Sequence, residues 1–182
     1  AEDDSYGTDE DSQLVVQAAG ILTNDRDPGM EGSLNLETTG EVETALGGTA
    51  TFEANGKLHY VPPESQQALA SGASIKDSVN YTVNDGLGTT STATVEITIS
   101  GVNDAPVAVA DVLSVAEGGT ATELSGEVAS VLANDTDVDS GELTAVLVSG
   151  VSHGSLTLNS NGTFSYVHDG SETTSDSFTY KA

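Results

Sequence analysis

Apolar and polar residues alternate along much of this 182-residue chain, which is the pattern of half-buried β-strands. The run 93–99 is apolar at every second position, and residues 79–83, 58–60 and 164–166 show the same alternation over shorter stretches. No stretch has a persuasive 3.6-residue period, and only residues 64–74, rich in alanine and glutamine, suit a helical turn. The pattern therefore predicts an all-β fold.

Two short loops between alternating stretches carry a strong hairpin signal. One contains Asn55-Gly56, and the other contains Asn161-Gly162. The Asn-Gly pair is favoured in type I′ turns, which need positive φ at both central residues. The sequence therefore predicts two β-hairpins with type I′ turns.

The two hairpins belong to a longer internal repeat. Four blocks recur in the same order: residues 47–61 in 153–167, residues 20–27 in 130–137, residues 77–82 in 176–181, and the pair Asp4/Glu10 in Asp111/Glu117. The segment 101–107 (GVNDAPV) separates the copies, and its proline ends a strand because it fixes φ and removes a backbone donor. We predict a tandem duplication with domains 1–103 and 104–182.

Each copy has the strand content of a β-sandwich. About seven short strands per roughly 100 residues indicate a Greek-key fold of immunoglobulin-like type. Copy one continues for 22 residues after Tyr81, to Asn103, whereas only Lys181 and Ala182 follow Tyr180. We therefore predict that the second sandwich lacks its last strand, which leaves a sheet edge unpaired. Such a domain is expected to be less stable, or to be completed by a neighbouring chain.

The composition excludes several classes of function. Four Lys and Arg stand against 29 Asp and Glu, for a formal net charge of −25, so nucleic acid and anionic membrane surfaces are unsuitable partners. No run of 18 apolar residues exists that could insert into a bilayer. The chain has no cysteine and no Ser-His-Asp order that suggests a nucleophile, so we predict that it is not an enzyme. Without disulfides, a thin acidic domain needs another stabiliser, such as a metal ion.

Acidic residues concentrate at the predicted strand ends, in corresponding places of the two copies. They are Asp25, Asp27, Asp85 and Glu10 in copy one, Asp135, Asp137 and Asp139 in copy two, and Asp104 beside Asn103 at the junction. Carboxylates that gather at one pole of a sandwich repel one another unless a cation intervenes. Calcium suits such irregular, all-oxygen sites better than magnesium does. The pattern therefore predicts bound Ca²⁺, although a salt-rich habitat would also favour an acidic chain.

Several motifs resemble those of a known family. Residues 81–86 (YTVNDG), the strand 93–99 and the segment 101–106 (GVNDAP) resemble the end of a cadherin repeat and its calcium-binding linker. Residues 22–28 (LTNDRDP) and the hairpin 55–62, which ends in YVP, are similar to bacterial cadherin-like repeats. Those repeats occur in tandem in large calcium-dependent, type I-secreted surface adhesins. The resemblance covers essentially the whole chain.

The resemblance also implies a set of calcium ligands. Asn103 and Asp104 would be linker ligands, and Asp135 and Asp137 would reach the same ion from domain two, with Asp139 as a substitute for a family ligand that copy two lacks. Glu10 and Asp77 would contribute from domain one. The equivalent half-site at the opposite pole of domain one would consist of Asp25, Asp27 and Asp85.

The function that this resemblance implies is mechanical. Calcium would stiffen consecutive repeats of an extracellular, cell-surface adhesin, whose partners would be neighbouring repeats of the same chain and a polysaccharide or another cell surface. Two alternatives stay open: a calcium-dependent carbohydrate-binding module, and a non-catalytic spacer of a secreted polysaccharide-degrading enzyme. The absence of tryptophan gives little support to the carbohydrate-binding module, which needs exposed aromatic residues.

Overall fold

The computed structural model of the chain describes residues 1–29 and 34–182. Within them the chain divides into two compact units, Ala1–Asn103 (unit 1) and Asp104–Ala182 (unit 2). The strands of unit 1 are β1 (Asp4–Asp9), β2 (Leu14–Val16), β3 (Asn35–Leu36), β4 (Gly40–Glu43), β5 (Thr49–Phe52), β6 (Leu58–Val61), β7 (Ser74–Asn84) and β8 (Thr90–Ser100). Those of unit 2 are β9 (Thr120–Ala121), β10 (Val146–Ser149), β11 (Gly154–Leu158), β12 (Phe164–His168) and β13 (Thr179–Lys181).

Unit 1 is a β-sandwich of two sheets. In its described residues one sheet has the order β1-β8-β7-β3 and the other has the order β2-β6-β5-β4. Strand β8 runs parallel to β1 and antiparallel to β7, so it fills the centre of the first sheet. Non-sequential neighbours of this kind are what a Greek-key connection produces. The core lies between the two sheets.

The alternation in the sequence corresponds to the two faces of these strands. Ala93, Val95, Ile97 and Ile99 of β8 are all 5% exposed or less, and the polar residues between them face outward. Successive strand residues point to opposite faces, so one face of β8 enters the core. The predicted all-β fold and its core strands are therefore confirmed.

Both predicted hairpins form, as β5–β6 and β11–β12, but their turns differ from the prediction. The Glu53 N–H donates to the carbonyl of Lys57 and the Gly56 N–H donates to the carbonyl of Glu53, each at 2.9 Å. In the two loops only Gly56 and Gly162 have positive φ, at 84° and 80°. The type I′ prediction is therefore wrong: each loop has three residues and ends in a left-handed glycine. Asn55 keeps negative φ because its Oδ1 accepts the Lys57 N–H at 3.0 Å.

The loop after β6 packs against the end of β8. It begins with a 3-10 helix, Glu64–Gln66, which confirms the predicted helical turn. The Gly101 N–H donates to the carbonyl of Ala73 at 2.9 Å. A Cβ at position 101 would lie 2.2 Å from the carbonyl oxygens of both Leu69 and Ala70, so the backbone approach requires glycine.

Unit 2 is a smaller sandwich of the same type. In its described residues β11-β12-β9 form a three-stranded sheet, and β10-β13 form a two-stranded one. Its buried core consists of Leu124, Val131, Ala145, Phe164 and Tyr166. Corresponding pairings recur in the two units, since β9 pairs with β12 as β2 pairs with β6.

No strand of unit 2 occupies the place that β8 has in unit 1. Strand β13 pairs with β10 alone. Residues 111–116, which correspond to β1 by the Asp4/Asp111 repeat, form no strand, and before them Val107 makes an isolated bridge to Thr136. The chain thus folds as two tandem Greek-key β-sandwich domains of immunoglobulin-like type, the second without its last strand.

Candidate metal centre

A tyrosine hydroxyl joins two carboxylates in unit 1. The Tyr81 hydroxyl lies 2.9 Å from Oδ2 of Asp4, 3.3 Å from both oxygens of Asp25 and 3.0 Å from the carbonyl of Ile21. Oδ1 of Asp25 also accepts the Glu2 N–H at 2.7 Å. We call this arrangement of Tyr81, Asp4 and Asp25 the tyrosine clasp. It ties the start of β1 to β7 and to the loop that carries Asp25.

The same clasp recurs in unit 2. The Tyr180 hydroxyl lies 3.0 Å from Oδ2 of Asp111 and 3.0 Å from Oδ2 of Asp135, and it donates toward the Val131 carbonyl at 2.7 Å. Oδ1 of Asp135 accepts the Val109 N–H at 2.7 Å. The repeated Asp4/Asp111 pair and the repeated tyrosine were visible in the sequence, but nothing there indicated that they meet. Asp25 and Asp135, both predicted ligands, lie in these clasps.

Burial raises the pKa of Asp4, of Asp111 and of the two tyrosines in the clasps, whereas the hydrogen bonds between these groups lower the aspartate pKa and raise the tyrosine pKa. Burial raises the pKa of Asp4 and of Asp111 above the ordinary aspartate value, although the tyrosine hydroxyl bond works against this rise. Burial, and then the hydrogen bonds to the carboxylates, raise the pKa of Tyr81 and of Tyr180. The tyrosines therefore stay neutral donors, and the clasp carries a surplus of acceptor oxygens.

A second cluster of hydrogen bonds surrounds Asp77 in the core of unit 1, and its counterpart in unit 2 surrounds Asp176. Oδ1 of Asp77 accepts the Leu46 N–H at 2.9 Å and the Ser78 N–H at 2.7 Å, and Oδ2 accepts the hydroxyls of Tyr60, at 2.8 Å, and of Thr44. Asp77 is fully buried. Because protein donors serve both of its oxygens, these contacts favour a structural role for Asp77 over ion ligation.

Glu10 differs from these carboxylates. It is 1% exposed, and its Oε1 accepts the Val102 N–H at 2.8 Å. Its backbone carbonyl accepts a hydrogen bond from the side-chain amide of Gln67. Oε2 is buried and has no hydrogen-bond partner among the described residues. Glu117, its counterpart in unit 2, is exposed.

In unit 2, the loop after Val131 offers a similar oxygen. Oδ1 of Asp137 accepts the N–H groups of Asp139, at 2.8 Å, and of Ser140, at 3.0 Å. Oδ2 of Asp139 accepts the Asp104 N–H at 2.6 Å. Oδ1 of Asp139 is buried and has no hydrogen-bond partner in the described part of the chain.

These orphaned oxygens test whether a metal ion fits. A buried carboxylate oxygen without a donor costs free energy, because it has lost water and gained nothing in exchange. A cation removes that cost, and a hard ion that binds carboxylate and carbonyl oxygen is the chemical match. Glu10 in unit 1 and Asp139 in unit 2 therefore each offer a carboxylate oxygen that fits calcium chemistry.

The remaining predicted ligands lie at turns or in the linker. Oδ1 of Asp85 accepts the N–H groups of Leu87 and Thr89, at 2.7 and 3.0 Å, and these bonds, that of Thr89 first, hold its pKa below the usual value. Oδ1 of Asp27 accepts the Gly29 N–H at 2.8 Å. Asn103 is exposed. Asp25, Asp27 and Asp85 do not form a close group of three carboxylates in the described residues of unit 1, and their role as a half-site stays a prediction.

Comparison with solved structures finds cadherin extracellular domains at low sequence identity. Drosophila N-cadherin EC1-4 is 14% identical with a TM-score of 0.47, and the match covers 92% of this chain and 39% of that one. Protocadherin gamma C5 EC1-3 is 14% identical with a TM-score of 0.41, and the match covers 91% of this chain and 54% of that one. This chain therefore spans well under two thirds of either structure. A search of curated proteins gives no match.

The family comparison covers nearly the whole chain. The model of the bacterial cadherin-like domain matches residues 1–101 and, separately, residues 103–182. Among the described residues no helix has the length and apolar character that crossing a bilayer requires. The two matches coincide with the two sandwiches of the fold, and the chain therefore belongs to the bacterial cadherin-like domain family.

Proposed function

We propose that this chain is a calcium-binding structural segment of a bacterial cell-surface adhesin, located outside the cell and without catalytic activity. Membership of the bacterial cadherin-like family supports a structural, adhesion-related role. The formal charge of −25 supports a need for bound cations, because a compact acidic domain repels itself.

The observation that carries the proposal is that Oε2 of Glu10 is buried and has no hydrogen-bond partner in the described parts of the chain. A carboxylate that is 1% exposed is shielded from water, and within residues 1–29 and 34–182 a protein donor reaches only one of its two oxygens. A bound calcium ion supplies the missing positive charge. We infer that the ligand set also includes Asp139, which has one buried oxygen without a partner among the described residues, and the linker residues Asn103 and Asp104. Asp137, two residues before Asp139, belongs to the same proposed set.

In this proposal calcium restrains the linker 101–106. Ligands on the linker and on the loops that flank it lose their freedom when they share an ion, so consecutive repeats move together rather than independently. Extracellular calcium modules bind at roughly 10⁻⁴–10⁻³ M. A site at about 100 times its dissociation constant adds about 2.7 kcal/mol to the folded state, which is a large share of a small domain's stability. Neighbouring repeats and a glycan or cell surface are the proposed partners.

The proposal is tested by the mobility of the linker. Backbone ¹⁵N relaxation of residues 102–105 is measured in calcium, in magnesium and with a chelator. We expect order parameters typical of rigid backbone in calcium and a marked drop in the other two conditions. Asp139→Asn should lower the calcium values toward those in chelator, whereas Asp11→Asn, at an exposed site, serves as the matched control. Linker dynamics that do not respond to calcium would reject the proposed role.

A further inference from the structure

The loop after β6, residues 62–73, contacts two segments of unit 1: Glu10, the proposed calcium ligand that follows β1, and the start of the linker. The side-chain amide of Gln67 donates to the backbone carbonyl of Glu10. The Gly101 N–H donates to the carbonyl of Ala73 at 2.9 Å, and the Gly101 carbonyl accepts another N–H of the loop at 3.1 Å. One loop therefore holds both the residue after β1 and the first residue of the linker.

The core of unit 1 supports this loop. Pro62 and Pro63 are buried at its beginning, where each proline ring fixes φ. Leu69 packs against the core, and the Gln67 N–H donates to the carbonyl of Glu64 at 3.3 Å within the turn of the 3-10 helix. The side chain of Gln67 therefore extends from a backbone whose position does not depend on an ion.

The supported segments meet at the side chain of Glu10. Oε1 of Glu10 accepts the N–H of Val102 at 2.8 Å, and the Glu10 N–H donates to the carbonyl of Ser100 at 3.3 Å. Oε2 is buried and has no hydrogen-bond partner among the described residues. A carboxylate that is held in place before it binds a cation loses little freedom on binding, and this raises its affinity.

We propose that Gln67 is a positioning residue for calcium, which acts through Glu10 and does not contact the ion. This role rests on the proposed function, because it requires calcium at Oε2 of Glu10. A carbonyl only accepts hydrogen bonds, and the Gln67 amide supplies the N–H that fixes the Glu10 peptide plane and so the direction of its side chain. Without that bond, Glu10 gains conformations that turn Oε2 away from the ion.

The geometry separates positioning from a general contribution to the fold. Gln67 is partly exposed, so water can replace its amide at the Glu10 carbonyl. The loop itself keeps its contacts with Gly101 and, through Leu69, with the core. Loss of the Gln67 amide should therefore disturb the bond between Glu10 and Val102 and leave the bond between Gly101 and the loop intact.

The test compares the whole ¹⁵N-labelled chain with two variants of similar side-chain length. Gln67→Met removes the donor to Glu10, and Gln66→Met is the matched control, since the Gln66 amide reaches the hydroxyl of its neighbour Ser65. Calcium titration is followed at the Val102 amide signal. We expect Gln67→Met to weaken calcium binding about tenfold, and Gln66→Met to bind as the wild type does.

A second measurement is made without calcium. Solvent exchange of the amides of Val102 and Gly101 is measured by NMR in the calcium-free wild type and in Gln67→Met. We expect the Val102 amide to exchange several-fold faster in the variant, with the Gly101 amide unchanged. This readout does not depend on the ion, and a merely structural role would increase both exchange rates.

Two results would overturn the role of Gln67 alone: calcium binding that is equally tight in wild type and Gln67→Met, and faster exchange of both amides in the variant. The second result would make Gln67 a structural residue of the loop. Failure of the wild type to bind calcium would instead overturn the proposed function, and the positioning role with it.

Discussion

At the scale of single residues, acidic side chains with similar sequence contexts have different surroundings. Asp77 accepts hydrogen bonds on both oxygens in the core, and Asp25 and Asp135 join tyrosine clasps. Glu10 and Asp139 each have one buried oxygen with no hydrogen-bond partner among the residues that the structure describes. The recurrence of acids at strand ends was predictable from the sequence. Which of them meet a tyrosine hydroxyl was not, because those contacts join residues up to 77 positions apart.

Replacing Asp77 tests its structural role. Asp77→Asn turns an acceptor into an amide whose NH₂ group must face donors such as the Tyr60 hydroxyl and the Leu46 N–H. We expect the free energy of unfolding of unit 1 to fall by about 2–3 kcal/mol. Urea unfolding measures the loss, in calcium and with a chelator. A loss that appears only when calcium is present would instead support ion ligation by Asp77.

Asp176, which occupies the place of Asp77 in unit 2, predicts a pH dependence. It accepts the N–H groups of Ser152, His153 and Ser177 at 3.0, 2.8 and 2.9 Å, and these bonds, that of Ser152 first, lower its pKa to about 2. Its folded pKa lies below its unfolded value, near 3.9. The stabilisation is therefore present above about pH 4 and is lost as the pH falls toward 2.

Asp176→Asn isolates this contribution. The difference in unfolding free energy between wild type and variant should be constant from pH 7 to about 5, should shrink to a small part of that value near pH 2, and should vanish below it. Acid titration followed by circular dichroism measures both proteins. A difference that stays the same at pH 2 would contradict the account.

At the scale of elements, the sequence predicts strands better than turns. The alternation of β8 identifies its buried face residue by residue, because a strand's period of two needs no information from its neighbours. The Asn-Gly loops were assigned the wrong turn, since an Asn side chain that bonds the backbone two residues on permits a three-residue loop as well. The close contact at Gly101 is made by the loop after β6, which is longer in copy one: Tyr60 to Tyr81 spans 21 residues, whereas Tyr166 to Tyr180 spans 14, so the repeat could not reveal it.

The contact at Gly101 gives a prediction at this scale. Gly101→Ala places a methyl group 2.2 Å from two carbonyl oxygens, so the loop after β6 must move. We expect unit 1 to lose about 1–3 kcal/mol. Gly7→Ala is the matched control, since a Cβ there meets its nearest heavy atom at an ordinary 3.6 Å. Equal effects of the two substitutions in thermal unfolding would show that the contact is unimportant.

At the scale of the whole molecule, the chain is a tandem pair of one domain, and the second copy has no strand in the place that β8 has in the first. The duplication and the absent strand were both predictable, because repeated blocks in the same order reveal what the second copy lacks. How the absent strand affects the core of unit 2 could be seen only in the structure. The effect shows in the partial exposure of Phe178 and Tyr180, where Val79 and Tyr81 of unit 1 are buried.

The two units are expected to differ in their free energy of unfolding. Unit 2 has fewer paired strands and a smaller buried core than unit 1, so it should unfold first. Hydrogen exchange followed residue by residue should find lower protection in β10 and β13 than in β7 and β8. A single cooperative loss of protection across both units would contradict this expectation.

The central claim is that carboxylates beside the linker bind calcium, and calorimetric titration of calcium into the chain tests it most directly. The account predicts saturable binding with a dissociation constant of roughly 10⁻⁴–10⁻³ M, weakened at least about tenfold by Glu10→Gln, which removes the buried negative charge. Glu117→Gln, the exposed counterpart, should bind as the wild type does. Binding that is unaffected by Glu10→Gln, or no binding to the wild type, would contradict the claim.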